Sequence, residues 1–161
     1  MCYSIIIFIV LCVFILLFFS SMKKRHINKH TSKKDIEKLT NRWIERVVVD
    51  NDPNLINSMF CSDGSLVGTV SKEIRNKLDI KKYFNYFAKL PNITVVEKHY
   101  DISKVTDNVF INTAFITWQW DGQEPVTARM SFVFRNKCIF QLHSSVIPSL
   151  NEELYLISGR V

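Results

Sequence analysis

TARMSFVFRNKCIFQLHSSVIP, residues 127–148, reads as two strands around a short turn. Met130, Phe132 and Phe134 alternate with Arg129, Ser131, Val133 and Arg135, the two-residue period of a strand with unlike faces. Asn136-Lys137 interrupts the alternation, and a second β-rich run from Cys138 to His143 follows. Pro148 ends the stretch, since it has no N–H to give a ladder. One face of this hairpin is apolar, and the other carries a guanidinium in mid-strand. A charge there needs water, a partner or a ligand, which makes Arg129 the first candidate functional residue. A two- or four-residue loop sets Arg129 opposite Ser144 and turns His143 to the other face. A three-residue loop sets Arg129 opposite His143 or Ser145, so that Arg129 and His143 share a face.

Working back along the chain, residues 109–120 and 93–100 are two more β-rich stretches, with turns at 121–125 and 101–108. Ahead of them the period changes. Ile36, Leu39, Trp43, Ile44, Val47 and Val48 form one apolar stripe of a helix over 35–49. Asp52-Pro53 starts a short helix over 54–60, with Asp52 able to cap and Pro53 at the first helical position. Cys61-Ser62-Asp63-Gly64 reads as a turn and 65–70 as a strand. Ile80, Tyr83, Phe84, Phe87 and Leu90 mark a second amphipathic helix over 79–90, stopped by Pro91. Helices first and four consecutive antiparallel strands after them predict an α+β domain, with helices packed on one face of a curved sheet.

The 161 residues suit one domain with extensions, and an apolar content of 47% is enough for a core. The net charge of +6 is local. Six of the 21 Lys and Arg lie within 23–34 and no acid precedes Asp35, so the remaining 15 face 15 Asp and Glu. The domain therefore has no electrostatic footprint for nucleic acid.

Residues 1–22 carry no charged side chain and, as a helix, would span ~33 Å, enough for a bilayer core. They predict a transmembrane anchor. Residues 23–34 form a basic juxtamembrane linker, suited also to anionic headgroups. The basic flank places the following domain in the cytoplasm. The competing reading is a cleaved signal peptide and a secreted domain, against which stand the lack of a basic start and of a small-x-small cleavage site. Asn92-Ile93-Thr94 is a glycosylation sequon that only a luminal domain would use. Cys61 and Cys138 are read as small buried hydrophobes, with a disulfide between them as the alternative. No metal-ligand spacing and no cofactor motif is found.

Several pieces resemble the NTF2-like superfamily in residue type and order. They are the helix with Trp43, the Asp52-Pro53 turn, and Phe60 followed by Asp63-Gly64 and Leu66-Val67-Gly68-Thr69-Val70-Ser71. Ile80-Lys81-Lys82-Tyr83-Phe84, Ala128-Arg129, Phe132-Val133, and His143-Ser144-Ser145 with Pro148 continue the match. The branch most resembled is the association (hub) domain of calcium/calmodulin-dependent protein kinase II, with its SnoaL-like stand-alone relatives. The likeness covers 35–148 and leaves 149–161 as a peripheral tail. It implies a cone: a curved antiparallel sheet wrapped over N-terminal helices, with a pocket at the open end. It also implies self-association through the sheet, as a homodimer or a larger ring. The hub branch is non-catalytic and holds buried arginines that accept carboxylates. Arg129 matches the arginine of its penultimate strand and His143 its final histidine. Leu142 departs from the usual His-His pair, and Asn136-Lys137 with Cys138 replaces the usual Asp-Gly turn and Trp. No kinase domain is present, so any kinase would associate in trans.

The resemblance leaves two readings. In the first, a binding module uses Arg129, His143, Ser145, Trp43 and Tyr83 to line a pocket for a small carboxylate or a peptide. In the second, a SnoaL-like or steroid-isomerase-like enzyme uses His143, Asp63, Glu97 or His99 for proton transfer. Each candidate also has a structural reading. Arg129 can bridge to an acid on the first helix, His143 can be satisfied by a hydrogen bond, and Asp63 can simply form a turn. Glu97 and His99 point one way along their strand, and Lys98 and Tyr100 the other. Trp118 and Trp120 share a strand face and suit a core or a sheet–sheet interface.

Overall fold

The computed structural model describes residues 31–69 and 71–147. The predicted anchor at 1–22, the basic linker up to residue 30, Pro148 and the tail at 149–161 lie outside the described residues. No helix among the described residues is long and apolar enough to cross a membrane.

Helix α1, Lys33–Glu45, begins with reciprocal capping. Ser32 Oγ accepts from the Asp35 N–H at 3.2 Å, and Asp35 Oδ2 accepts from the Ser32 N–H at 3.0 Å. The helix buries Ile36, Thr40, Trp43 and Ile44. One π-helical turn, Arg46–Asp50, carries Val47 into the core and ends at Asn51 with φ 49°. The predicted single helix over 35–49 thus changes its winding at Arg46. Helix α2, Pro53–Ser58, starts as read, with Asp52 accepting from the Asn54 N–H at 2.8 Å. Helix α3, Lys77–Phe87, is capped by Asn76 and buries Ile80 and Phe84.

Six strands form one sheet in the order β2-β1-β6-β5-β4-β3. They are β1 Phe60–Val67, β2 Ile74–Asn76, β3 Thr94–Lys104, β4 Val109–Gln119, β5 Val126–Arg135 and β6 Cys138–Val146. From β3 to β6 the pairing is antiparallel, as expected. The sheet then closes with a parallel β1–β6 pair and the short β2. Cys61-Ser62-Asp63-Gly64, read as a turn, lies inside β1. The strand is irregular there, with Phe60 opposite Ile139 and Ser65 already opposite Gln141. Gly64 is needed because a Cβ would stand 2.9 Å from the Ile139 carbonyl oxygen.

The same pairing corrects the reading of the cysteines. Cys61 of β1 and Cys138 of β6 lie on neighbouring strands, each next to the Phe60–Ile139 pair. They form a disulfide with a Cα–Cα distance of 5.1 Å across 77 positions of sequence. Bonds of this kind persist in oxidising compartments, which is at odds with the cytoplasmic placement drawn from the basic flank.

The hairpin that opened the reading also resolves. Asn136 and Lys137, with φ 50° and 67°, form a two-residue turn that leaves Arg135 opposite Cys138. By itself that turn would set Arg129 opposite Ser144. However, Val133 pairs with Gln141 while Phe134 pairs with Ile139, so β6 carries one extra residue at Phe140. Arg129 therefore meets Ser145, His143 meets Ser131, and both side chains take the same face.

That face is the outer one. The inner face presents Phe110, Ala114, Ile116 and Trp118 of β4, and Ala128, Met130, Phe132 and Phe134 of β5. Trp43 from α1 sits against them, with ring centroids 5.2 Å from Phe132, 5.9 Å from Phe84 and 6.0 Å from Trp118. Aromatic edges meeting faces at these distances fill the concavity. Trp118 is a core residue and not part of an outer interface.

Candidate functional site

The residues singled out in the sequence fall in four separate places: the outer sheet face, strand β1, the core and a cleft beside α3. Arg129 and His143 stand exposed on the outer face. Across the strands, Arg129 lies between Phe115 of β4 and half-buried Ser145 of β6, and Phe115 in turn pairs with His99 of β3. In the next row His143, Ser131, Thr113 and Asp101 follow one another. The expectation that Arg129 and His143 line an interior pocket is thereby corrected, because the bulge at Phe140 and the strand parity turn both outward. Arg129 is not a buried arginine, and no helix among the described residues covers it.

Glu97 and His99 lie on the same outer face, as their parity predicted, and contact each other at 2.9 Å. Lys98 and Tyr100 point the other way, onto α1. There Asn41 Oδ1 accepts from Lys98 Nζ at 2.6 Å and from the Tyr100 hydroxyl at 3.0 Å. Burial, with the nearby Glu37 carboxylate adding to it, pushes the Tyr100 phenol up to about 12. Asp63 sits exposed on β1 and pairs with Arg135, whose hydrogen bond lowers its pKa below the ordinary carboxylate value. The Arg135 guanidinium also lies 4.2 Å from the Phe140 ring centroid. Asp63 is therefore an ion-pair residue of a strand, not a turn residue.

Trp43 is 1% exposed and belongs to the core rather than to a pocket wall. Its Nε1 finds no hydrogen-bond partner. The buried polar residues of the core are few. Asn112 Nδ2 donates to Thr40 Oγ1 at 2.8 Å, and Thr40 donates to the Ile36 carbonyl. None of these groups titrates in the range a general base requires. Among the described residues, no His, Asp or Glu faces the filled interior, and no cluster suited to a metal ion forms.

Of the predicted ligand-binding residues, Tyr83 lines a cleft. Half-buried on α3, it accepts from the Thr69 N–H at 3.4 Å, and Thr69 shares a 2.7 Å hydrogen bond with Ser144. Gly68 lets its ring lie close, since a Cβ there would meet the Tyr83 Cε2 at 2.3 Å. The Arg75 guanidinium lies 5.5 Å from the Tyr83 ring centroid and bonds Ser71 and Glu73. Together with Asp79, Lys82 and Tyr86 these residues line an open cleft of about 540 Å³. Arg75 escaped the sequence reading because a three-residue strand carries no measurable period.

No family model matches the sequence, and no curated protein matches it. Solved structures do match the fold. One, from Xanthomonas campestris, is provisionally named a calcium/calmodulin dependent protein kinase II association domain. It superposes with a TM-score of 0.64 at 22% identity over 74% of this chain and 91% of its own. A provisionally named dehydratase of the NTF2-like family from Streptomyces avermitilis gives 0.61 at 13% identity, over 74% and 100%. A ketosteroid isomerase-like protein from Erwinia carotovora atroseptica gives 0.53 at 12% identity, over 70% and 94%.

Proposed function

We propose that this chain, which has the NTF2-like fold, is a self-associating module whose outer sheet face receives a second copy of itself. The observation that carries this reading is the composition of that face. Phe115 is 43% exposed and Ile111 36%. Ile111 pairs with half-buried Val133, and polar Arg129, Ser131 and His143 lie around them. An apolar centre with a polar surround is the anatomy of an interface. The four strands β3–β6, at ~4.8 Å spacing and ~34 Å length, give a footprint of roughly 650 Å². A rugged side-chain surface exceeds its footprint, so this face reaches the ~800 Å² per partner of a standard interface. The name of the Xanthomonas structure, an association domain, agrees with this reading. We extend it to a membrane tether through residues 1–22, whose apolar length suits a bilayer.

The enzyme reading draws on the dehydratase and isomerase-like neighbours. Its proton-transfer candidates His143, Glu97, His99 and Asp63 are all exposed, outside the cone.

The test is the solution mass of residues 31–161 by light scattering, with and without Phe115→Asp. A dimer or ring that dissociates at least ~30-fold more readily in the variant supports the reading, since a central apolar contact is worth ~2 kcal/mol or more. A parent protein that is monomeric at high concentration sinks it.

A further inference from the structure

We infer that the domain matures in an oxidising secretory lumen and that Asn92 carries an N-linked oligosaccharide there. Two independent features carry the inference. The first is the Cys61–Cys138 bond, which joins the neighbouring strands β1 and β6 across 77 positions of sequence. In a reducing cytosol the glutathione and thioredoxin systems keep such thiols apart. The second is Asn92-Ile93-Thr94, the only Asn-x-Ser/Thr triplet in the chain.

The triplet is presented as an acceptor must be. Asn92 and Thr94 are exposed, while Ile93 between them is 3% exposed and pins the turn between α3 and β3. Asn92 takes φ 50°, a left-handed conformation that asparagine tolerates. Its Nδ2 donates to Asp121 Oδ2 at 2.6 Å. A glycosylated amide keeps one N–H, so the modified side chain still has a donor for Asp121. The site opens β3, an eleven-residue strand at the edge of the sheet formed by the described residues. A glycan there shields an edge that would otherwise invite pairing with another chain. Thr94 is five residues, ~17 Å of strand, from His99, which stands opposite Phe115. The modification therefore lies at one end of the face proposed for self-association, away from its centre at Phe115, and neither inference depends on the other.

The chemistry balances with co-reactants of that compartment. Oligosaccharide transfer from a lipid-linked pyrophosphate forms a bond between the anomeric carbon and Asn92 Nδ2. The anomeric C–O bond breaks, Nδ2 loses a proton, and the lipid diphosphate leaves. The two thiols lose two protons and two electrons to a disulfide-bearing oxidoreductase, which is reduced to its dithiol. The apolar residues 1–22 then act as the targeting signal, with the following domain translocated.

The experiment is expression of the full chain in eukaryotic cells. The readouts are electrophoretic mobility before and after peptide-N-glycosidase, and thiol alkylation with and without reductant. The expected result is one glycosidase-sensitive shift that Asn92→Gln and Thr94→Ala abolish and Thr94→Ser retains, with Cys61 and Cys138 protected until reduction. Reactive cysteines and no shift would overturn both parts. Protected cysteines without a shift would overturn the glycan. Because solution mass is not a readout here, either result leaves the self-association test standing.

Discussion

The two faces of this one sheet obey different rules. On the inner face most side chains are chosen for volume: Phe110, Ile116, Trp118, Phe132 and Phe134 close around Trp43, with Asn112 the polar exception bonded to Thr40. On the outer face the same strands alternate Ile111, Phe115 and Val133 with Thr113, Arg129 and Ser131. The concavity is packed, and the unexplained chemistry lies outside it. A cone filled by aromatics specifies shape, while an outer face that mixes exposed phenylalanine with arginine specifies a partner.

If that contrast is right, substitutions on the two faces should separate cleanly. Trp43→Ala should be the most damaging, removing a residue with three ring neighbours and lowering unfolding free energy by about 4–5 kcal/mol. Chemical denaturation would read it, and a loss under ~1 kcal/mol would mean the core is not organised around this residue. Replacing both Cys61 and Cys138 with Ser should cost about 2–4 kcal/mol by freeing the unfolded chain. Denaturation with and without reductant measures that directly.

Tyr100→Phe, which removes the 3.0 Å bond to Asn41, should cost about 1 kcal/mol. The sign of its pH dependence is set by the raised phenol. The folded state holds the Tyr100 proton more tightly than the unfolded chain, so its contribution is complete below pH 10 and is lost as pH rises toward about 12. An ultraviolet phenolate titration should show one tyrosine ionising late, and in Tyr100→Phe that late step should vanish. Phe115→Asp should have the smallest effect on the dilute monomer, within ~0.5 kcal/mol, despite its effect on association. A large destabilisation there would erase the distinction between the faces.

Much of this organisation was legible. Alternation from Met130 to Phe134 and the stripes of α1 and α3 are local patterns, and they locate the helices and the four antiparallel strands. The parity of Glu97 and His99 against Lys98 and Tyr100 was readable for the same reason. What stayed hidden depends on residues far apart in the chain. Gly64 looks like a turn glycine until the Ile139 carbonyl approaches it. The cysteine bond joins two parallel neighbouring strands, a pairing that leaves no local trace. The side taken by Arg129 and His143 turns on one extra residue, Phe140, which no period reveals. For the candidate site, residue types were readable and their facing was not.

The parallel β1–β6 pair also sets a timetable. β1 is made early, but the strand that completes it is the last one, and Cys61 and Cys138 are 77 positions apart. At ~5–20 residues per second of synthesis, roughly 4–15 s pass between them. Throughout that interval the Cys61 thiol is without its partner, while α3 and the β3–β5 meander are still being completed. The newborn chain is thus obliged to remain open, and the domain closes in a single late event when its final strand arrives.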